Sequence, residues 1–361
     1  MPTLRLAPPA SWPTLGWGVV DWIETYLCHG PGDIEGDPIE FDDETVQFVL
    51  DAYRIFPKGH TKAGQRVVFD ATYSRPKGRA KSELAGALVC AEAKGPARFS
   101  HWGADGEPVG MPVRSPFIRC LATEEGQAGN TYDNVQVMLK NAKEVDPELF
   151  ADVDVGATRT LIGQSGEIRP STSGASSKDG GKETFAVADE THLYYLPEHR
   201  QMLQTVRRNL RKRKAAQPWF MSTTTMYKPG QASIAEGRHD AARKQVGAKH
   251  DLSVLFDHRE APEIAKWEDD KEVLAALAYV YGDAAAWMNL EGLLQEIRDP
   301  ETDEGDARRY FLNQRADKAD AAFGVAAWDA LADPEVEVPP GSLIVAGFDG
   351  ARFDDSTAIV A

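Results

Sequence analysis

Apolar residues along the chain change their spacing in the order of an α/β protein. Val46, Val49, Leu50 and Tyr53 share one helical face, and Gln47 sits on the same helix beside Phe48. Val67, Val68 and Phe69 form a short β-branched and aromatic run that predicts a buried strand. Leu84, Leu88 and Ala91 then return to helical spacing until Gly95-Pro96 stops the helix. A polar connector over 100–113 precedes a predicted strand at 116–122, and Thr123 is placed to cap a helix buried through Tyr132, Val135, Met138 and Leu139. Residues 159–162 and 167–170, joined by Gly163-Gln-Ser-Gly166, predict a hairpin, and the Ser/Gly-rich stretch 171–181 a flexible loop.

The second half continues the alternation. TFAVADE at 184–190 predicts a buried strand ending in two acids, a helix follows over 197–216, and a strand over 219–224 ends in a run of hydroxyls. From 251 to about 330 helices dominate, with Leu274, Leu277 and Tyr281, then Leu293, Leu294 and Ile297, then Tyr310 and Phe311 on their buried faces. Prolines mark a linker at 334–341, and LIVAGFDGARFDDSTAIVA restarts as a β-hairpin with Asp349 closing its first strand. The first forty residues, rich in Pro, Gly and Trp, read as an arm packed on the body. The organisation expected is an arm (1–40), an α/β core (41–250), a small helical subdomain (251–333), a linker (334–341) and the start of a further domain (342–361).

The candidate chemistry lies where strands give way to helices. Between the strand at 67–69 and its helix runs SRPKGRAKSELA, which carries Arg75, Lys77, Gly78, Arg79, Ala80, Lys81 and Ser82. A loop that brings backbone N–H groups, an ammonium and a hydroxyl to a helix N-terminus suits a polyphosphate with Mg²⁺. Against the pattern G-x-x-x-x-G-K-[ST], the first glycine falls on Arg75 and the second on Ala80, and only Lys81 and Ser82 match. Either the loop avoids a left-handed backbone at Ala80 or it carries roughly 1–2 kcal/mol of strain there. Taken alone, Lys-Ser at a helix start is more often a solvated helix end.

Asp189-Glu190 changes that balance, because paired acids at the carboxyl end of a central parallel strand have a task when a cation sits nearby. Asp189 is placed to hold the Mg²⁺ that Ser82 also touches, and Glu190 to polarise an attacking water. The hydroxyls of Ser222 to Thr225 fit ordinary strand-edge chemistry, since Thr suits strands, and in a nucleotide motor the same place can sense the γ-phosphate. Gln47 fits plain polar surface, while before a nucleotide loop its amide can offer donor and acceptor to an adenine edge. Strand, helix, strand, with an extra strand between the phosphate loop and the acidic pair, is the order expected of an ATPase that adds a catalytic glutamate to its parallel sheet.

Bulk numbers narrow the class. The 361 residues carry a net charge of −16, which argues against coating nucleic acid by bulk electrostatics but not against contact at a few places. The one dense basic run, RRNLRKRK at 207–214, has a plain reading as a solvated helix face favoured by the C-terminal dipole. Cys28, Cys90 and Cys120 form neither a disulfide framework nor a zinc pattern. No apolar run spans a bilayer and the N-terminus lacks a signal-peptide core, so a cytoplasmic protein is expected.

Together these residues resemble the large terminase subunit of tailed bacteriophages, over residues 41–361. Its carriers are Gln47, SRPKGRAKSELA, FAVADETH, MSTTT, RRYFLNQ and GFDGARFDDSTA, in that order. The resemblance implies a P-loop NTPase sheet of the additional-strand, catalytic-glutamate type with helices on both faces, a helical lid, and the first hairpin of an RNase H-like nuclease domain. It implies that Gln47 reads adenine, that Arg75 stands where the family carries a basic residue, and that Lys77, Gly78, Arg79, Ala80, Lys81 and Ser82 cradle ATP. Asp189 and Ser82 would hold Mg²⁺, Glu190 would activate water, and Thr223, Thr224 and Thr225 would couple hydrolysis to lid movement. Asp349 matches a first nuclease carboxylate in a chain expected to be truncated inside that domain, with endonuclease activity incomplete.

A neighbour's arginine is also implied, with Arg159 and Arg169 as candidates. The partners implied are double-stranded DNA, a portal protein, a small terminase subunit and like subunits in a ring, without a membrane, in the cytoplasm of an infected bacterium. Two rivals predict differently. A helicase-like or repair motor would be stimulated by single-stranded or forked DNA, and a non-catalytic interaction protein would not bind ATP.

Overall fold

In a computed structural model, residues 3–123, 125–171, 181–246, 250–316, 339, 341, 347–349 and 358–360 are described. The chain divides into two compact units, Met1–Ala316 and Asp317–Ala361. The first is built on a nine-stranded sheet. Its parallel centre comprises β2 (Asp70–Ser74), β5 (Phe117–Leu121), β8 (Gly166–Ser171), β9 (Phe185–Ala188), β10 (Trp219–Thr224) and β11 (Val254–Arg259), in the order β11-β2-β10-β9-β5-β8. Antiparallel strands close both sides: β1 (Thr3–Leu6) on β11, and β7 (Thr160–Ile162) and β6 (Val153–Val155) beyond β8. The fold is the α/β class predicted; β10, which follows β9 in the chain, inserts between β2 and β9 in the sheet, a placement the chain order did not specify.

Strands buried on both faces read as continuous apolar runs, and alternation assigns each residue its side. Trp219, Met221, Phe185 and Val187 enter the larger core, while Phe220, Ala186 and Ala188 enter a second one on the other face. Over the larger core lie α1 (Gly16–Tyr26), α2 (Asp43–Ala52), α3 (Lys81–Lys94) and α4 (Glu125–Val145); on the other face lies α5 (Pro197–Leu210). Buried on almost every side from Leu84 to Ala93, α3 is small-residue rich where α4 crosses it. A Cβ on Gly86 would stand 2.8 Å from Asn134 Cβ, so that crossing requires glycine. Two further helices complete the set near the sheet's edge and loop: α6 (Ile234–Arg243), which packs Ala242 against Phe256 and Leu6, and α7 (Asp270–Tyr281). With α8 (Leu290–Arg298) and α9 (Glu304–Phe311), α7 encloses a separate small core of Val273, Leu277, Val280, Tyr281, Ile297 and Leu312.

Several expectations about elements are corrected. The strand predicted at Val67, Val68 and Phe69 begins instead at Asp70. Phe69 and Asp70 both donate N–H to Ser253 O, so the ladder opens only beyond that shared carbonyl, and Phe69 is 43% exposed. The polar connector holds a hairpin, β3 (Arg98–Trp102) with β4 (Pro108–Met111), with Phe99 and Trp102 in ring contact along β3. The first forty residues supply β1 and α1 to the sheet and its core, and α6 was not foreseen. Within the stretch read as helical, β11 is a buried strand: its hydropathy is masked because Asp257 and His258 are satisfied inside the sheet. The helix expected to reach 216 stops at Leu210.

In the second unit, β12 (Gly347–Asp349) pairs antiparallel with β13 (Ala358–Val360), the hairpin expected there. The calls on the loop at 172–180 and most of the linker lie outside the described residues, as does the placement of the Asp349 carboxylate.

Candidate nucleotide site

The carboxyl ends of β2, β10 and β9 stand side by side, with Thr224 paired to Ser74 and Ser222 to Ala188 in register. Chain leaving these ends forms the site. After β2 the loop turns through Gly78, at φ +83°, and Ala80, at φ +49°, into α3. The left-handed backbone is thus present at Ala80, and a non-glycine residue carries roughly 1–2 kcal/mol of strain for it. Glu190 repeats the feature at φ +54°, directly after β9. Strain at both the loop and the acidic turn is held by surrounding structure and concentrates where groups must converge.

They do converge. Ser82 Oγ donates to Asp189 Oδ2 at 2.6 Å, Thr131 Oγ1 donates to the same oxygen at 3.0 Å, and Thr223 Oγ1 donates to Oδ1. Lys81 Nζ lies 3.1 Å from Pro76 O and 3.5 Å from Glu190 Oε1. Glu190 receives its other support from His192, whose Nδ1 is 3.1 Å from Oε2, and from Thr223, whose Oγ1 accepts the Glu190 N–H at 3.3 Å. Thr224 Oγ1 accepts the His192 N–H at 3.1 Å and donates to Thr225 O at 2.7 Å. One strand of hydroxyls therefore holds both acids in place.

The two acids are driven apart in acidity. Burial, and then the neighbouring Glu190 charge, pushes the Asp189 carboxyl up despite three donated hydrogen bonds. Burial opposes ionisation of Glu190 too, but Lys81 and His192 outweigh it and hold its carboxyl at about 2. Glu190 is therefore an anion at any physiological pH, paired with the ammonium that a phosphate would compete for.

Two other predicted residues are engaged away from this cluster. Arg75 is buried, donates to Ser74 O, Asp257 O and Asp257 Oδ1 at 2.8 to 3.1 Å, and lies over the Tyr73 ring, tying β2 to β11. The Gln47 amide donates to Asp51 Oδ1 at 3.2 Å. Of the candidate arginines, Arg159 is exposed and Arg169 pairs with Glu167. The rest of the loop is gripped by the helical subdomain: Lys77 N–H donates to Tyr310 O, Tyr281 Oη to Lys77 O, and Arg79 Nε to Tyr281 O. Arg79 also pairs with Asp42, the cap of α2.

Beside the loop opens a cavity of about 570 Å³, lined by Gly78, Arg79 and Ala80 together with residues of 29–45, Tyr73, Glu83, Leu84 and Trp287. Sequence reasoning missed this wall, and it missed Thr131 and His192. His192 follows the acid pair by two residues and had a positional signal; Thr131 had none, since its role depends on α4 crossing α3.

Among the described residues no helix is long and apolar enough to cross a membrane. No group of three or more His, Cys, Asp or Glu side chains among them could enclose a metal. Ser82 with Asp189 instead offers the sparse oxygen set that suits Mg²⁺ carried on a phosphate.

Residues 109–237 match the family model for the terminase large subunit, ATPase domain, a range that includes both the acidic and the hydroxyl strand. Gene 13 protein of Mycobacterium phage L5 is 28% identical over 399 residues, covering 96% of this chain and 65% of the relative. Gene 13 protein of Mycobacterium phage D29 is 27% identical over 397 residues with the same shares. The crystal structure of the HK97 bacteriophage large terminase superposes with a TM-score of 0.62 at 18% identity, over 84% of this chain and 55% of that one, a likeness of fold. The chain spans about two-thirds of the length of the curated relatives it matches.

Proposed function

We propose that this chain, which belongs to the bacteriophage large terminase family and carries its ATPase domain, hydrolyses ATP to drive double-stranded viral DNA into a procapsid. The observation that carries the reading is the convergence of Lys81, Ser82, Asp189 and Glu190 at the ends of three adjacent strands. Backbone amides of 78–82 at the start of α3 and the Lys81 ammonium would bind the β- and γ-phosphates. Ser82 and Asp189 would hold Mg²⁺, which when bound draws negative charge from the phosphate oxygens.

As phosphate attracts Lys81, the Lys81–Glu190 pair loosens. Glu190, kept ionised and oriented by His192 and the Thr223 hydroxyl, then orients the attacking water and accepts its proton. Thr223 and Thr224 touch both acids' turns, so loss of the γ-phosphate would be felt along β10. The loop's hydrogen bonds to Tyr310 and Tyr281 would pass the change to the helical subdomain. Double-stranded DNA, a portal, a small terminase subunit and a ring of like subunits supplying an arginine belong to this proposal, as does a nuclease role for Asp349 in a longer chain.

The test is ATP hydrolysis by the purified chain with double-stranded, single-stranded and forked DNA, beside Lys81→Ala and Ser82→Ala. Lys81→Ala should abolish turnover, and Ser82→Ala should raise the Mg²⁺ concentration needed for it. Stimulation confined to single-stranded or forked DNA would favour a helicase-like motor, and failure to bind ATP would sink the enzymatic reading.

A further inference from the structure

The cavity beside the phosphate loop has features that the phosphate chemistry does not use. Its volume of about 570 Å³ lies in the range of small-molecule sites. It shares Gly78, Arg79 and Ala80 with the loop, so whatever occupies it is continuous with a bound phosphate. Its walls are largely apolar: Ile39, Phe41, Tyr73 and Leu84 come from the body. Opposite them is a residue of the helical subdomain, Trp287, placed between the turn at Gly282–Ala286 and α8. Trp287 is 57% exposed, the next residue Met288 meets the loop at Gly78, and the ring therefore flanks the loop without being absorbed into the subdomain's core.

Gln47 contributes nothing to this wall, because its amide is engaged with Asp51 and it does not line the cavity. We propose that the purine base of the nucleotide sits in this cavity, stacked on Trp287, so that recognition of the base belongs to Trp287 and the apolar residues of the wall. The inference rests on the nucleotide reading of the loop. It makes Trp287 a binding residue supplied by the helical subdomain, so the base joins that subdomain to the sheet.

Two ligands separate the base from the phosphates: ADP carries both, and inorganic tripolyphosphate only the latter. Calorimetric titration of the full chain with each, in Mg²⁺, should show Trp287→Ala weakening ADP at least about fivefold, the lower end of base–aromatic stacking, with tripolyphosphate unchanged. Trp287→Phe keeps an aromatic face and should restore most of the ADP affinity. Undiminished ADP affinity in Trp287→Ala, or an equal loss for tripolyphosphate, would overturn the inference while leaving the phosphate site standing. Binding of neither ligand by the unaltered chain, or ADP binding indifferent to Lys81→Ala, would instead bring down the nucleotide reading and the inference with it.

Discussion

Glu190→Gln tests the centre of the argument because it removes one charge and little else. The backbone strain at φ +54° and the Glu190 N–H bond to Thr223 are main-chain features and survive the change. What disappears is the proton acceptor and the anion 3.5 Å from Lys81 Nζ. Loss of a positioned general base costs about 10²–10⁴-fold in the chemical step. The effect on binding should have the opposite sign, or none, because among the described residues the ammonium freed from its partner retains only Pro76 O and is more available to phosphate. Single-turnover hydrolysis measured beside equilibrium ATP binding separates the two: the rate should fall by at least about a hundredfold while affinity holds or tightens. A rate within about tenfold of the unaltered chain, or a parallel collapse of affinity, would refute the assignment of Glu190 as base and Lys81 as the shared cation.

Two further predictions concern the frame. Glu92 is wholly buried and its Oε1 accepts from Tyr53 Oη at 2.8 Å, Trp219 Nε1 at 2.8 Å and Arg98 Nη1 at 2.9 Å, with Arg98 Nη2 ion-paired to Oε2 at 2.8 Å and Arg66 3.6 Å away; Glu92→Ala should cost about 3–5 kcal/mol in urea denaturation, and a loss below about 1 kcal/mol would show the cluster to be dispensable. Burial, then Arg75, lowers His258 to about 3, and burial, then His258, lowers its neighbour His239 well below 6.5, so both are neutral in the fold but protonated in the unfolded chain below pH 6.5. Stability should therefore be full above pH 6.5 and fall as pH drops towards 3, by roughly 1.4 kcal/mol per pH unit from His258; His239→Leu should flatten the slope, and an unchanged slope would refute the account.

How far the sequence carried these conclusions depended on whether a residue's task was local. Lys81, Ser82, Asp189 and Glu190 were legible because each sits at a strand-to-helix or strand-to-turn boundary that hydropathy marks. That β10 inserts between β2 and β9 was not legible, because it follows β9 in the chain. Strand β11 was hidden because its polar residues are satisfied by distant partners: Asp257 by Arg75 and His258 by Ser74. The same pairing turned Arg75 from an expected phosphate ligand into a tie between strands. Trp287 and Thr131 were illegible for a related reason, since each matters only through an approach between elements far apart in the chain. Ala80 shows the opposite case: local rules foresaw strain there, and the left-handed backbone carries it.

The Glu92 cluster has a mechanical meaning beyond its contribution to stability. It fastens the far end of α3 to Tyr53, Trp219 and Arg98, while the near end of the same helix presents Lys81 and Ser82. A helix of about a dozen residues between those ends is a rod roughly 16 Å long. Clamped this way, the rod is an anvil: it does not recoil when charge appears or vanishes at its tip. The opposite jaw, the helical subdomain, has a core of its own and grips the loop through hydrogen bonds from the Arg79 and Tyr281 side chains to backbone carbonyls and from Lys77 N–H to Tyr310 O. Under the proposed function, a working stroke generated at the phosphate loop would be delivered through that jaw.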